Sequence, residues 1–322
     1  MNQGPGTRDQ GPRTRKPGPR LVVLVGPTGS GKTDLGIAIA ERCDAEIINA
    51  DSRQLYRRLD IGSAKPTVTQ RARVPHHLLD VAEPDERFDC ARFGALARAA
   101  VADITARGKR ALVVGGSGLY VQTLLDGLFA GPSRDAALRA RLEADEEAEA
   151  GSLHRRLASV DAPTAARLHA RDRARLIRAL EVYELTGVPI SAWQAQHEVT
   201  RSETVALVLA LDLPRAALYR RIDARCQAMV ESGLVEEVRA LYAAGLDPQL
   251  ATLQSPGYRE IGAFVRGLCD LPTAIARMAQ ATRRLAKRQL TWFRRDPRVI
   301  WTSPDPDVLA GRAASFWSAP AA

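Results

Sequence analysis

The residues best equipped for chemistry form one short run, Gly26-Pro27-Thr28-Gly29-Ser30-Gly31-Lys32-Thr33. The spacing G-x-x-x-x-G-K-T suits a polyphosphate. Its glycines let successive backbone N–H groups turn inward, and a helix starting at the loop's end points its positive dipole end at the anion. Lys32 supplies a point charge for the outer phosphate, and the Thr33 hydroxyl a ligand for Mg²⁺, the expected cofactor. All eight positions are therefore candidates for phosphate binding. An apolar run at 21–25 precedes the loop, and Leu35, Ala38, Ile39 and Cys43 follow at helical spacing, so strand, loop and helix come in the required order.

What accompanies the loop narrows the chemistry. An ordinary ATPase or GTPase carries a second strand ending in a metal-binding acid, with a group to orient water. Here the run Ala111-Leu112-Val113-Val114 ends in Gly115-Gly116-Ser117. The available carboxylate, Asp51, instead closes the run AEIINADS at 45–52. A small-molecule kinase could also keep its base there, so phosphoryl transfer stays open on the residues alone. A plain structural reading is that Asp51 caps a following helix. The pair His76-His77 is not read as a metal site, because neighbours on a strand point to opposite faces.

These residues need a frame. Runs at 45–52, 110–120, 204–213 and 297–302 read as further buried strands separated by helical patterns. The expected fold is α/β, a P-loop-type parallel sheet flanked by helices. Ligands of such sheets sit at the carboxyl ends of the strands, which would bring the glycine loop, Asp51 and Ser117 to one rim. From 134 to 199 the chain is charged and helical without a convincing strand, and is read as an all-helical insertion in a core of 21–133 and 200–315. Residues 1–20, rich in Gly, Pro, Arg and Thr, read as a disordered basic tail.

The chain has 322 residues, 45% of them apolar, enough for a sizeable core. Its formal charge of +9 favours an anionic partner. Cys43, Cys90, Cys226 and Cys269 are widely spaced and form no C-x-x-C pair, so neither a disulfide framework nor a zinc site is indicated. No run is long and apolar enough for a membrane span, and no signal peptide is evident. A soluble, cytoplasmic monomer is expected.

Seven blocks then carry a resemblance: GPTGSGKT, INADSRQLYRRLDIGSAKP, PHHLLDV, VVGGSGLY, RLIRALEVYELTG, SPGYREIG and RRLAKRQLTWFRRDPR. In this order, from 21 to about 302, they are similar to the tRNA dimethylallyltransferase (tRNA isopentenyltransferase) family. The resemblance implies transfer of a dimethylallyl group from dimethylallyl diphosphate to the exocyclic amine of the adenine 3′ of certain anticodons. The partners would be a tRNA anticodon stem-loop and the isoprenoid diphosphate. By resemblance Asp51 is the base for the amine proton, Ser117 sets a hydroxyl against the diphosphate, and Arg221 is the arginine aimed at it, with Arg220 and Arg225 as competitors. Without the family, Ser117 could simply satisfy a glycine turn and Arg221 be a solvated charge beside the stripe Leu218, Ile222, Cys226 and Met229.

Asp51, Ser52, Arg53 and Gln54 would receive the flipped adenine, with the diphosphate entering from the glycine-loop side. The stretch 271–298 holds eight basic residues and one acid. On this expected helix Ile275, Met278, Leu285 and Trp292 form the inner stripe, while Arg277, Arg284, Lys287 and Arg288 face phosphates. The resemblance adds Arg139, Arg175 and Arg178 of the insertion as tRNA contacts. Two other classes compete: a P-loop kinase for a small metabolite or nucleoside, and an RNA-binding protein with a degenerate nucleotide site. The intact Lys32-Thr33 pair opposes the second, and the basic C-terminal helix opposes a small substrate.

Overall fold

A computed structural model describes residues 19–129, 131–200 and 205–319, the side chains of 198–200 excepted. The chain forms two compact units, one made of residues up to Leu125 and from Glu203 onward, the other of Asp126–Ser202.

The first unit is an α/β sheet domain. In chain order it comprises β1 (Leu21–Val25), α1 (Lys32–Cys43), β2 (Ala45–Asn49), α2 (Val68–Arg73), β3 (His76–His77), α3 (Cys90–Ala106), β4 (Arg110–Gly115) and α4 (Gly118–Asp126), whose last residue falls in the second unit. The second unit supplies α5 (Ala136–Ala148), α6 (Ser152–Val160), α7 (Ala162–Arg167), α8 (Arg173–Thr186) and α9 (Ile190–Thr200). The first unit then resumes with β5 (Ala206–Leu211), α10 (Arg215–Glu231), α11 (Leu234–Ala243), α12 (Tyr258–Val265), α13 (Leu271–Phe293), β6 (Val299–Thr302) and α14 (Pro306–Ser318).

The six strands lie in the order β3-β2-β4-β1-β5-β6, and every pairing is parallel. β1 reads LVVLV and is buried throughout, as a strand covered on both faces must be. Its alternation divides the core: Leu21, Val23 and Val25 join Phe93, Ile222, Met278 and Phe293, while Val22 and Leu24 join Ile37, Leu309 and Ala313. The register aligns Val25 with Gly115 and Asn49 with Val114, so β1, β2 and β4 end level with one another. Their following loops therefore open on one rim.

The second unit buries its own core, including Leu142, Leu153, Leu157, Leu176 and Leu180. It starts at Asp126, where the sequence suggested 134, because Phe129 packs against this helical core; the expected end at 199 adjoins residues 201–204, outside the described residues. The expected tail lies outside the described residues up to 18. Arg20, however, belongs to the fold: its guanidinium donates to the Phe316 carbonyl, and its own carbonyl accepts the Trp317 indole N–H at 3.2 Å.

The stripe expected on α13 also needs correction. Asp270 caps this helix by accepting the Thr273 N–H at 2.8 Å, and its buried residues are Ala274, Met278, Ala279, Ala286 and Phe293. Leu285 instead faces a chamber described below, Ile275 is only half-buried, and Trp292 is partly exposed over Gly118. Small residues on the buried face let α13 approach closely, which displaces the larger side chains to its flanks.

Candidate active site

The glycine loop runs from β1 directly into α1. Gly29 and Gly31 take left-handed φ values of 82° and 88°, which few other residues tolerate. Gly31 caps α1 without a side-chain hydrogen bond, so the first-turn amides remain available to an anion. Thr33 faces this opening, and Lys32 reaches back to the Pro27 carbonyl at 3.4 Å. Desolvation pulls the Lys32 ammonium down to about 8, with Asp51 opposing the shift and Arg225 adding to it.

Asp51 follows β2. Its amide donates to Asn49 Oδ1 at 3.1 Å, and its Oδ1 accepts the Arg53 N–H at 2.9 Å. Residues 52–55 form turns, so Asp51 shapes a turn and caps no helix. Among the described residues nothing donates to Asp51 Oδ2. Ser117 comes from the β4–α4 turn, where the backbones approach closely: a Cβ on Gly115 would stand 2.2 Å from the Ala50 carbonyl oxygen. This contact excludes an acid at the end of β4. Ser117 donates its N–H to that carbonyl at 3.1 Å, and its Oγ accepts the Ser52 N–H at 2.9 Å, leaving the hydroxyl proton free to donate. The serine thus satisfies a backbone group, but one on the Asp51 turn rather than its own.

Two adjoining chambers occupy the rim. The first, of about 390 Å³, is lined by Ser52, Arg53, Gly116, Ser117, Arg288 and Gln289 on its polar side and by Ile222, Cys226, Met229, Met278 and Leu285 on its apolar side. The second, of about 330 Å³, is lined by Gly29, Gly31, Lys32, Thr33, Asp34 and Gln54. Thr28, Asp51, Ser63, Ala64, Arg225 and Met229 belong to both walls. A carboxylate and a guanidinium therefore stand where a partly apolar space meets a phosphate-type space.

The arginine in that wall is Arg225, not Arg221. Arg225 is half-buried, and burial pulls its guanidinium below the ordinary value while Asp51 opposes the shift. Arg220 and Arg221 are exposed and line neither chamber, although Arg221 Nη1 lies 4.0 Å from where a Gly31 Cβ would stand. Helical spacing held the signal: Arg225 is three residues from Ile222 and four from Met229, on the stripe already read as inward.

Gln54 faces the glycine-loop chamber, unlike Ser52 and Arg53, and its amide donates to the Ser63 and Ala64 carbonyls at 3.3 and 2.9 Å. On α13, Arg277, Arg284, Lys287 and Arg288 are exposed, and no carboxylate among the described residues pairs with them. The arginines of the second unit differ. Arg139 grips Glu181 through two bonds of 2.7 and 2.8 Å, and Arg178 reaches the same carboxylate at 2.7 Å and the Pro132 carbonyl at 3.0 Å. Both are engaged inside their own unit, against the expectation that they face RNA. Arg175 stays exposed, with Asp172 at 3.2 Å. His77 Nε2 pairs with Glu46 at 2.7 Å, and His76 Nδ1 with the Val74 carbonyl at 2.9 Å.

Three residues were not singled out from the sequence, although they fall in the blocks SPGYREIG and RRLAKRQLTWFRRDPR. Gln289 bridges Thr28 and Gly116, and Ser255 with Pro256 closes the first chamber. No helix among the described residues is long and apolar enough to cross a membrane.

Comparison with known proteins identifies the family. The family described as IPP transferase matches residues 54–296, and that described as isopentenyl transferase matches 19–80. The chain is 50% identical over 282 residues to tRNA dimethylallyltransferase 1 of Citrifermentans bemidjiense, covering 88% of this chain and 91% of the relative. It is also 50% identical over 296 residues to the tRNA dimethylallyltransferase of Anaeromyxobacter dehalogenans (strain 2CP-C), covering 91% and 98%. Among solved structures, the full-length tRNA isopentenylpyrophosphate transferase of Bacillus halodurans is similar at a TM-score of 0.68 and 37% identity, over 92% of this chain and 95% of that one. A eukaryotic dimethylallyltransferase acting on tRNA gives a TM-score of 0.76 at 28% identity, over 92% and 78%. At half identity along most of both partners, the chain belongs to the tRNA dimethylallyltransferase family.

Proposed function

We propose that this protein transfers the dimethylallyl group of dimethylallyl diphosphate to the exocyclic amine of the adenine 3′ of the anticodon in a subset of tRNAs. The observation that carries the reading is Asp51, standing in the wall between a chamber with one apolar side and the glycine-loop chamber.

The reaction needs two things from the protein. The adenine amine is a weak nucleophile because its lone pair is delocalised, so its proton must leave as the new bond forms. The diphosphate must also depart with the electrons of the broken C–O bond. The flipped adenine occupies the first chamber, and the diphosphate lies on the glycine loop. The amine nitrogen attacks the allylic carbon, Asp51 takes the amine proton, and diphosphate leaves. Lys32, the α1 amides, the Ser117 hydroxyl and Arg225 face the charge that develops on it. Ile222, Met229 and Met278 give the isoprenoid an apolar wall and limit water.

Mg²⁺ fits the second chamber, since Thr33, Asp34 and Asp51 line it with the hard oxygen donors this ion prefers. Thr33 would hold it, and when bound it would add positive charge against the diphosphate. On α13, Arg277, Arg284, Lys287 and Arg288 offer phosphate contacts to the anticodon stem, with Arg175 as a candidate from the second unit.

The test is incubation with isotopically labelled dimethylallyl diphosphate, Mg²⁺ and an anticodon stem-loop. Label should enter the RNA with equimolar diphosphate release, and ATP turnover should be negligible because β4 ends in glycine and not in an acid. ATP hydrolysis or transfer to a small molecule, with no labelled RNA, would overturn the reading in favour of a kinase.

A further inference from the structure

β1 and β4 run side by side, but their ladder stops at Val25 and Gly115. Beyond that point their loops must separate to admit a ligand, and one side chain spans them. Gln289 Oε1 accepts the Thr28 N–H at 2.8 Å, and its Nε2 donates to the Gly116 carbonyl at 3.0 Å. The amide orientation is unambiguous, because an N–H can only donate and a carbonyl can only accept. Resting on the function proposed above, we infer that Gln289 is a positioning residue of the transfer reaction: its amide latches the glycine loop, which carries the diphosphate, to the Gly116-Ser117 turn and sets the spacing between them.

Few side chains could do this. The role needs an acceptor and a donor on one planar group at the end of a two-methylene stem. Glutamate lacks the donor, lysine and arginine lack the acceptor, and leucine lacks both. Gly116 completes the fit, since a Cβ there would stand 2.4 Å from Gln289 Nε2. The connection continues to the proposed base: Ser117 Oγ accepts the Ser52 N–H, and Ser52 adjoins Asp51. One amide thus fixes the loop carrying Lys32 relative to the turn carrying Ser117, and through Ser52 relative to Asp51. It also engages the Thr28 amide, so an anion is left with the amides nearer α1.

The location separates positioning from plain stabilisation. Gln289 lines the first chamber and is only half-buried. If the side chain is shortened or made apolar, Thr28 N–H and the Gly116 carbonyl are left beside space that water can fill. Stability should change little, while the gap between the two turns loosens. Misplacement of about 1 Å can cost on the order of 10²-fold in rate.

The experiment compares wild type, Gln289→Leu and Gln289→Glu by calorimetric binding of dimethylallyl diphosphate, stem-loop affinity, thermal midpoint and single-turnover transfer across pH. Gln289→Leu should raise the donor half-saturation on the order of 10-fold, slow transfer by up to about 10²-fold, and leave stem-loop affinity and the midpoint near wild type. Gln289→Glu should be as defective at about pH 8, where its carboxylate repels the Gly116 carbonyl, and should recover relative to wild type toward about pH 5.5. Protonated, it can again accept from Thr28 and donate to Gly116. Gln289→Leu should show no such recovery. Wild-type binding and transfer in Gln289→Leu, or a Gln289→Glu defect that does not change with pH, would overturn the latch while leaving the proposed function intact. Failure of the wild-type protein to bind the donor would remove both.

Discussion

Two clusters of carboxylate and basic side chains in this molecule serve opposite ends. In the second unit, Glu181 is fully buried and saturated: Arg139 holds both its oxygens, Arg178 adds a bond, and the Asp135 amide donates at 2.9 Å. Burial works against its charge, but those bonds prevail and carry the carboxyl down to about 2. At the rim of the sheet, Asp51 accepts one backbone N–H, while burial lowers both Lys32 and Arg225. No carboxylate among the described residues pairs with Arg225. A saturated cluster has nothing left to offer a ligand, whereas an unsaturated one holds charges ready for an anion to complete. Arginine content alone therefore does not mark a nucleic-acid surface.

The largest effect expected from this contrast is at Asp51. Asp51→Asn keeps the size and the turn-forming oxygen but cannot take a proton, so single-turnover transfer should slow by about 10²- to 10⁴-fold with thermal midpoint and stem-loop affinity near wild type. Wild-type transfer by this variant would show that the rim carboxylate is as structural as Glu181.

Next comes the saturated cluster. Arg139→Ala leaves Glu181 buried with part of its partners gone, and should lower unfolding stability by about 3 kcal/mol in urea titrations. Transfer at low temperature should stay near normal. Because Glu181 is held at about 2 in the fold against an ordinary 4.5, its stabilisation is complete above about pH 4.5 and is lost as pH falls toward 2. The variant should show less of that acid dependence. Unchanged stability with weakened RNA binding would return Arg139 to the RNA surface and erase the distinction.

The exposed face of α13 should behave in the reverse way. Replacing Arg277, Arg284 and Lys287 together by Ala should leave the thermal midpoint within a degree or so and flatten the salt dependence of stem-loop binding by about 0.9 per lost phosphate contact. An unaltered slope would make that face a solvated surface.

The smallest effect is a pH dependence. Free Lys32 loses its proton near pH 8, and a bound diphosphate raises that value by favouring the ammonium. Donor half-saturation should therefore be flat below about pH 8 and rise above it, by at most about tenfold per pH unit. Lys32→Arg should abolish the break, since guanidinium keeps its charge throughout.

Legibility followed the range of the interactions. The loop at 26–33, the strands β1, β2, β4, β5 and β6, and the placing of Asp51 and Ser117 on one rim depend on local pattern and on the rule that parallel strands share an end. These were readable. Arg225 rather than Arg221 lines the chambers because a motif names a neighbourhood, and a helix then separates residues one turn apart. The inner stripe of α13 failed because close packing on Ala274, Ala279 and Ala286 makes small residues the buried ones.

By itself, then, the sequence determined the chemistry available and the order of its elements, because glycine spacing, strand alternation and apolar runs act over a few residues. Tertiary structure alone decided which charges are satisfied. Arg139 and Glu181 are 42 positions apart and Thr28 and Gln289 261 apart, and whether such groups meet depends on how helices pack across the chain. Whether a desolvated charge finds its partners, which separates a structural ion pair from a reactive group, is decided only once that packing has removed the water.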